Sequence, residues 1–146
     1  MFLERKLKTA GRVVKRRSEF ALGDLPQTYL NGISEGRWFW RRLERRRLQP
    51  VCQITYKRKA RVGTPPAGPL RLTIDEEIHA IADAVRFTDH SGVGLLRGRA
   101  ILKLEYQDEL PLVFAQLIED FHLQPQTISK YRIAVKALGL VQEQRL

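Results

Sequence analysis

Lysines and arginines recur at every second position in several short runs of this chain, and that spacing puts them on one face of a strand. Glu4 and Lys6 stand two apart, as do Lys15 and Arg17, Arg71 and Thr73, and Lys103 and Glu105. Over residues 51–62, Ile54, Tyr56, Arg58 and Ala60 share one face, and Gln53, Thr55, Lys57 and Lys59 share the other. In an open sheet these would be half-buried strands with a solvated basic side. In a closed barrel the polar face becomes the lumen, and the lumen becomes a cationic channel. A lining of Lys6, Lys15, Arg17, Arg58, Arg71 and Lys130 suits a linear chain of phosphates. Arginine forks onto phosphate oxygens, and lysine supplies a mobile point charge. So many cations in one cavity repel one another unless a polyanion lies between them.

Positioning such a lining takes strands, and the pattern supplies them. Residues 1–8 and 11–17 read as two strands around a turn at Lys8-Thr9-Ala10-Gly11. Residues 24–32 suggest a short helix with Asp24 before it and Pro26 in its first turn. Arg37 to Leu48 reads as a basic helix, with Arg37, Arg41 and Arg45 stacked and Phe39, Trp40 and Leu43 forming an apolar stripe. Strands follow over 51–62, 70–74 and 99–106, with a Pro-Pro loop between the first two. Residues 75–87 show Ile78, Ile81, Ala82 and Val85, which predicts an amphipathic helix, and 88–98 read as loop. Pro111 to about Phe121, and Gln126 or Thr127 to Leu138 before Gly139, give a C-terminal helical pair.

Length and composition bound the reading. The 146 residues, 43% hydrophobic, suffice for one core and predict a single folded domain over 1–146. No apolar run nears the ~20 residues of a transmembrane helix, and no leader is visible, so a cytoplasmic protein is expected. The lone Cys52 excludes an internal disulfide and reads as a small core residue. His79, His90 and His122 lack zinc spacing. Residues 1–61 hold 17 of the 26 Lys and Arg against 5 acids, while residues 62–146 hold 9 basic and 11 acidic groups. The basic half calls for an anionic partner: nucleic acid, polyphosphate, a nucleotide or an acidic membrane surface.

The order of the motifs narrows this. Phe2-Leu3-Glu4-Arg5-Lys6, Val14-Lys15-Arg16-Arg17, Thr55-Tyr56-Lys57-Arg58-Lys59-Ala60, Leu70-Arg71-Leu72-Thr73-Ile74-Asp75 and Ser129-Lys130-Tyr131 follow one another along the chain. That series resembles the VTC (vacuolar transporter chaperone) domain, the polyphosphate polymerase branch of the triphosphate tunnel metalloenzymes. The resemblance implies an α+β fold built on part of an antiparallel triphosphate-tunnel β-barrel, with inserted helices. It implies phosphate-binding roles for Lys6, Lys15, Arg17, Arg58, Arg71 and Lys130, and catalytic ones for Lys6, Arg58, Arg71 and Lys130. It also implies a Mn or Mg cofactor.

Two departures from the family pattern qualify the activity. The family's late strand reads Leu-Glu-x-Lys with the Glu on the metal; here Leu102-Lys103-Leu104-Glu105 exchanges the charges, leaving Glu105 as the metal candidate. A Lys at 103 opposes a metal ion by like charge. The resemblance also covers only the C-terminal part of the family's domain, which implies an N-terminally incomplete barrel that a partner chain would complete. The expected function is therefore binding of polyphosphate or a nucleoside triphosphate such as ATP, with phosphotransferase activity uncertain. The alternative is a non-catalytic basic module for nucleic acid or an acidic protein.

Overall fold

The computed structural model describes residues 2–9, 12–19, 21, 36–66, 68–82 and 92–140. They fall into two compact units, Met1–Gln49 and Pro50–Leu146.

In the first unit, β1 (Phe2–Thr9) and β2 (Arg12–Glu19) pair antiparallel along their full length, as the alternation predicts. Glu4 lies opposite Arg17 and Lys6 opposite Lys15, so these four share one face. Leu3, opposite Ser18, belongs to the other face and is buried. Helix α1 (Arg37–Arg46) meets that second face at its Leu3–Ser18 end, while Leu7 and Val14 further along it are exposed. Trp38 donates its indole Nε1–H to Ser18 Oγ at 2.9 Å, and the Arg16 guanidinium sits 4.8 Å from the Trp38 ring centroid. The short helix expected over 24–32 lies outside the described residues.

In the second unit, β4 (Leu70–Ile81) is the central strand. Its whole length pairs with β3 (Gln53–Gly63) on one edge. Its other edge pairs with β6 (Ile101–Glu105) in the first half and with β5 (Val93–Gly94) in the second. All pairings are antiparallel. Helices α2 (Leu112–Asp120) and α3 (Lys130–Ala137) follow. Helix α3 starts later than predicted because Ser129 is extended, at φ −133° and ψ 109°, and caps it by accepting from the Arg132 N–H. It ends as predicted at Gly139, whose φ of +67° completes a reversed turn: Gly139 N–H donates to Lys136 C=O and Leu140 N–H to Val135 C=O.

One expectation fails and the cause is local. Residues 75–81 are strand, not helix. Thr55 lies opposite His79 while Lys57 lies opposite Glu76, so β4 uses one residue more than β3 over this stretch. That is a β-bulge, with Glu77 at φ +48° as the extra residue. The bulge reverses the alternation: Thr73 and Asp75 are buried before it, Ile78 and Ala80 after it. The two-residue period is broken in the middle of the strand, and what remains in the sequence mimics a helical spacing.

The bulge decides what the inner face of the sheet carries. Ile78 and Ala80 pack there with Leu95 and with Ala134 of α3, and Cys52, Ile54, Ile101, Ile133 and Leu138 join them. Helix α3 thus seals one end of the face with an apolar core. The other end, beyond the N-terminus of α3, carries Arg58, Arg71, Thr73, Asp75, Lys103 and Glu105. The described strands form two sheets, neither closed upon itself. No helix among the described residues is long and apolar enough to cross a membrane.

Candidate functional site

The register gathers cations from motifs far apart in sequence. Arg58 lies opposite Asp75, Ala60 opposite Thr73, and Val62 opposite Arg71 across β3 and β4. On the far edge of β4, Arg71 lies opposite Glu105, Thr73 opposite Lys103, and Asp75 opposite Ile101. Every one of these residues occupies the same face, because partners in a ladder point the same way and neighbours along a strand alternate.

Asp75 is the hub of one cluster. Its side chain is 6% exposed, and a carboxylate so buried must be paired. Arg58 supplies a fork, Nε to Oδ1 at 2.6 Å and a terminal nitrogen to Oδ2 at 2.8 Å. Lys130, in the first turn of α3, adds a third bond to Oδ2. Its ammonium also lies 3.4 Å from the Tyr56 ring centroid, and the Arg58 guanidinium lies 5.0 Å from the same ring. The Arg58 fork, backed by Lys130, holds the Asp75 carboxyl down at about 2, and the same fork raises the pKa of Arg58. Arg58 itself stays 40% exposed, so its guanidinium still meets solvent.

Glu105 organises a second cluster. Lys103, two residues earlier on the strand, bonds to its Oε1, and Arg71 Nε reaches Oε2 at 3.8 Å. Arg71 and Lys103 side chains are 49% and 56% exposed. Asp75 and Arg71 are four residues apart on β4, roughly 13 Å at strand rise. The face therefore presents two cationic groups, with the Lys103 backbone at the register position between them.

In the other unit, Lys6 pairs with Glu4 at 3.0 Å, and Arg17 donates Nε–H to Glu4 Oε2 at 3.0 Å. The Arg17 bond, then that of Lys6, lowers the Glu4 pKa. Lys15 sits opposite Lys6 on the same face. Lys6 and Arg17 are 62% and 54% exposed.

The residues present do not fit a divalent cation in this arrangement. Each carboxylate on the inner face is already held by two cations, and Asp75 and Glu105 are too far apart to share an ion. Among the described residues no group of three His, Cys, Asp or Glu could hold a metal. Cys52 is a packed thiol with its pKa pushed up by burial.

Arg58, Arg71 and Glu105, named from their motifs, share one sheet face, and Lys130 reaches it from α3; Asp75 and Tyr56, which complete the cluster, have no role in the motif series. The signal was present: Arg71, Thr73 and Asp75 stand at i, i+2 and i+4, and Tyr56 and Arg58 at i and i+2, so each shares a face with a named cation.

An antiparallel sheet whose inner face carries forked and point cations, with a helix packed over one end, makes this an α+β domain with a cationic face. The family model of the VTC domain matches residues 1–139, and the chain belongs to that family. Membership is consistent with a polyphosphate-related function, and the family is associated with metal-dependent activity in general. No curated protein and no solved structure matches the chain.

Proposed function

We propose that the inner face of the β3–β4–β6 sheet binds the phosphate chain of polyphosphate or of a nucleoside triphosphate. The observation that carries this is the convergence of Arg58, Arg71 and Lys130, from three separate motifs, on one sheet face. Phosphate oxygens match the carboxylate oxygens these cations already hold, so a phosphate chain replaces or joins Asp75 and Glu105 as their partner. In the absence of ligand the two carboxylates offset the mutual repulsion of the cations. Both clusters project from one sheet face, so linked phosphates engage both where a single anion engages one.

On this reading the sheet is part of a triphosphate-tunnel barrel and the two units belong to one domain. Lys6, Lys15 and Arg17 form a further phosphate-binding face, and a partner chain is a candidate to complete the barrel. Arg58, Arg71 and Lys130 are the residues proposed to hold a transferring phosphoryl group by position and charge. Mn or Mg, expected of the family, has no fitting carboxylate set on this face, and no step runs through it. Synthesis of polyphosphate from ATP is accordingly expected to be weak.

The test is thermal unfolding with tripolyphosphate and with sulfate at equal ionic strength. A larger rise in Tm with tripolyphosphate supports the reading, since binding to the native state alone stabilises it. Equal shifts would favour the second reading, a diffuse basic module for nucleic acid or an acidic protein, which the exposed Arg41, Arg45, Arg46 and Arg47 of α1 and its C-terminus support. Incubation with ATP and Mn, followed by assay for polyphosphate, separates binder from enzyme.

A further inference from the structure

We propose that Lys103 takes the charge role of a divalent cation on this face, so that the chain binds linear phosphate without metal. The inference rests on the phosphate-chain reading above and goes further in naming the ligand set.

Its basis is the position of Lys103 in the ladder. It lies opposite Thr73, between the Arg71–Glu105 pair and the Asp75–Ile101 pair. From that position its side chain turns to Glu105, so the ammonium adds its charge beside Arg71 at that end of the face. Thr73, its cross-strand partner, is 3% exposed, whereas the Lys103 side chain is 56% exposed, so its head meets solvent.

Carboxylate chemistry on the face points the same way. Glu105 bonds to Lys103 itself and pairs with Arg71, and Asp75 is held by Arg58 and Lys130. A divalent ion placed at Glu105 would have to displace an ammonium and then remain beside it, against like-charge repulsion. A phosphate chain meets no such conflict. Arg58, Arg71, Lys103 and Lys130 outnumber Asp75 and Glu105 by two, so the face already carries the surplus positive charge that a metal would bring. Lysine supplies it as three rotatable donors on a flexible stem, suited to phosphates along a mobile chain.

The experiment measures the tripolyphosphate-induced rise in Tm in EDTA and in Mn, with Mn alone as the reference, and confirms it by equilibrium dialysis. The unmodified chain is expected to show its full shift in EDTA and to gain nothing from Mn. Lys103→Ala is expected to lose at least half of the shift in EDTA. Lys57→Ala, on the opposite face and paired with Glu77, should keep the shift. Lys103→Glu should bind poorly in EDTA and recover with Mn. A shift in the unmodified chain that appears only with Mn would overturn the role of Lys103 and leave the phosphate reading intact. So would a Lys103→Ala variant that binds in EDTA as tightly as the parent. No shift and no dialysis binding under either condition would overturn both.

Discussion

Arg58 on β3 and Lys130 at the start of α3 grip the same carboxylate, that of Asp75. The arginine fork spans both oxygens at 2.6 and 2.8 Å, and the lysine closes on Oδ2 from the helix. This joins the sheet to the helix through ions at the boundary where the apolar core of Ile78, Ala80 and Ala134 ends. The same three side chains hold the unit together and form one end of the proposed phosphate-binding face.

Acid should therefore loosen the fold in a defined window. The Asp75 carboxyl lies at about 2 in the folded chain against an ordinary 3.8. A carboxyl depressed by folding stabilises the native state above its unfolded value, and that contribution is lost as pH falls from about 4 towards 2. The loss amounts to about 2 kcal/mol at full protonation. Urea unfolding between pH 5 and pH 2 should show it, and Asp75→Asn should lack that part of the slope. A variant with the parent's full slope would place the acid sensitivity elsewhere.

At neutral pH, Asp75→Asn should itself cost about 2–3 kcal/mol, because it leaves two cations facing a neutral amide. The figure sits below that for fully buried pairs, since Arg58 is 40% exposed. Equilibrium urea denaturation at pH 7 measures it. A cost under about 0.5 kcal/mol, typical of a surface pair, would mean the triad is solvated in solution.

Gly92 offers a test of the sheet alone. A Cβ built there would lie 2.1 Å from the Ala80 carbonyl oxygen and 2.6 Å from an Ile81 side-chain carbon. The chain can enter β5 against β4 only without a side chain at this point. Gly92→Ala should destabilise by about 1–3 kcal/mol, the usual range for forced overpacking. Gly98→Ala is the comparison: nothing lies within 4 Å of its Cβ, and any cost comes from its φ of +68°. Equal stability of parent and Gly92→Ala in thermal melts would show that β5 does not pair with β4 in this register.

Much of this architecture was legible from alternation. The β1–β2 pairing, the two faces of β3, the face shared by Arg71 and Thr73, and the stop at Gly139 all follow from residue period and turn chemistry. The second half of β4 was not legible, because the bulge at Glu77 changes which residues point inward without leaving Gly or Pro as a marker. The hub role of Asp75 was hidden for a different reason. A buried carboxylate is recognised by what surrounds it, and Arg58 and Lys130 reach it only through the strand register and the docking of α3. Val113 and Phe121 fit the apolar spacing of α2 and its C-terminus, yet they are exposed, while Phe114 is buried and meets Tyr106 edge-on. Helical spacing shows that residues share a side but not that anything covers it.

Whether the sheet face is the anion site is decided by calorimetric titration of tripolyphosphate into the unmodified chain and into Arg58→Ala, Arg71→Ala and Arg41→Ala, at two salt concentrations. Each strand arginine should account for about 1–3 kcal/mol of binding, as expected for a charge-assisted hydrogen bond. Arg41, on the exposed side of α1, should account for less, and its effect should fade with salt. Weak saturable binding in Arg58→Ala and Arg71→Ala beside near-parental binding in Arg41→Ala is the predicted result. The reverse ranking would contradict it and move the anion site from the sheet face to the basic helix.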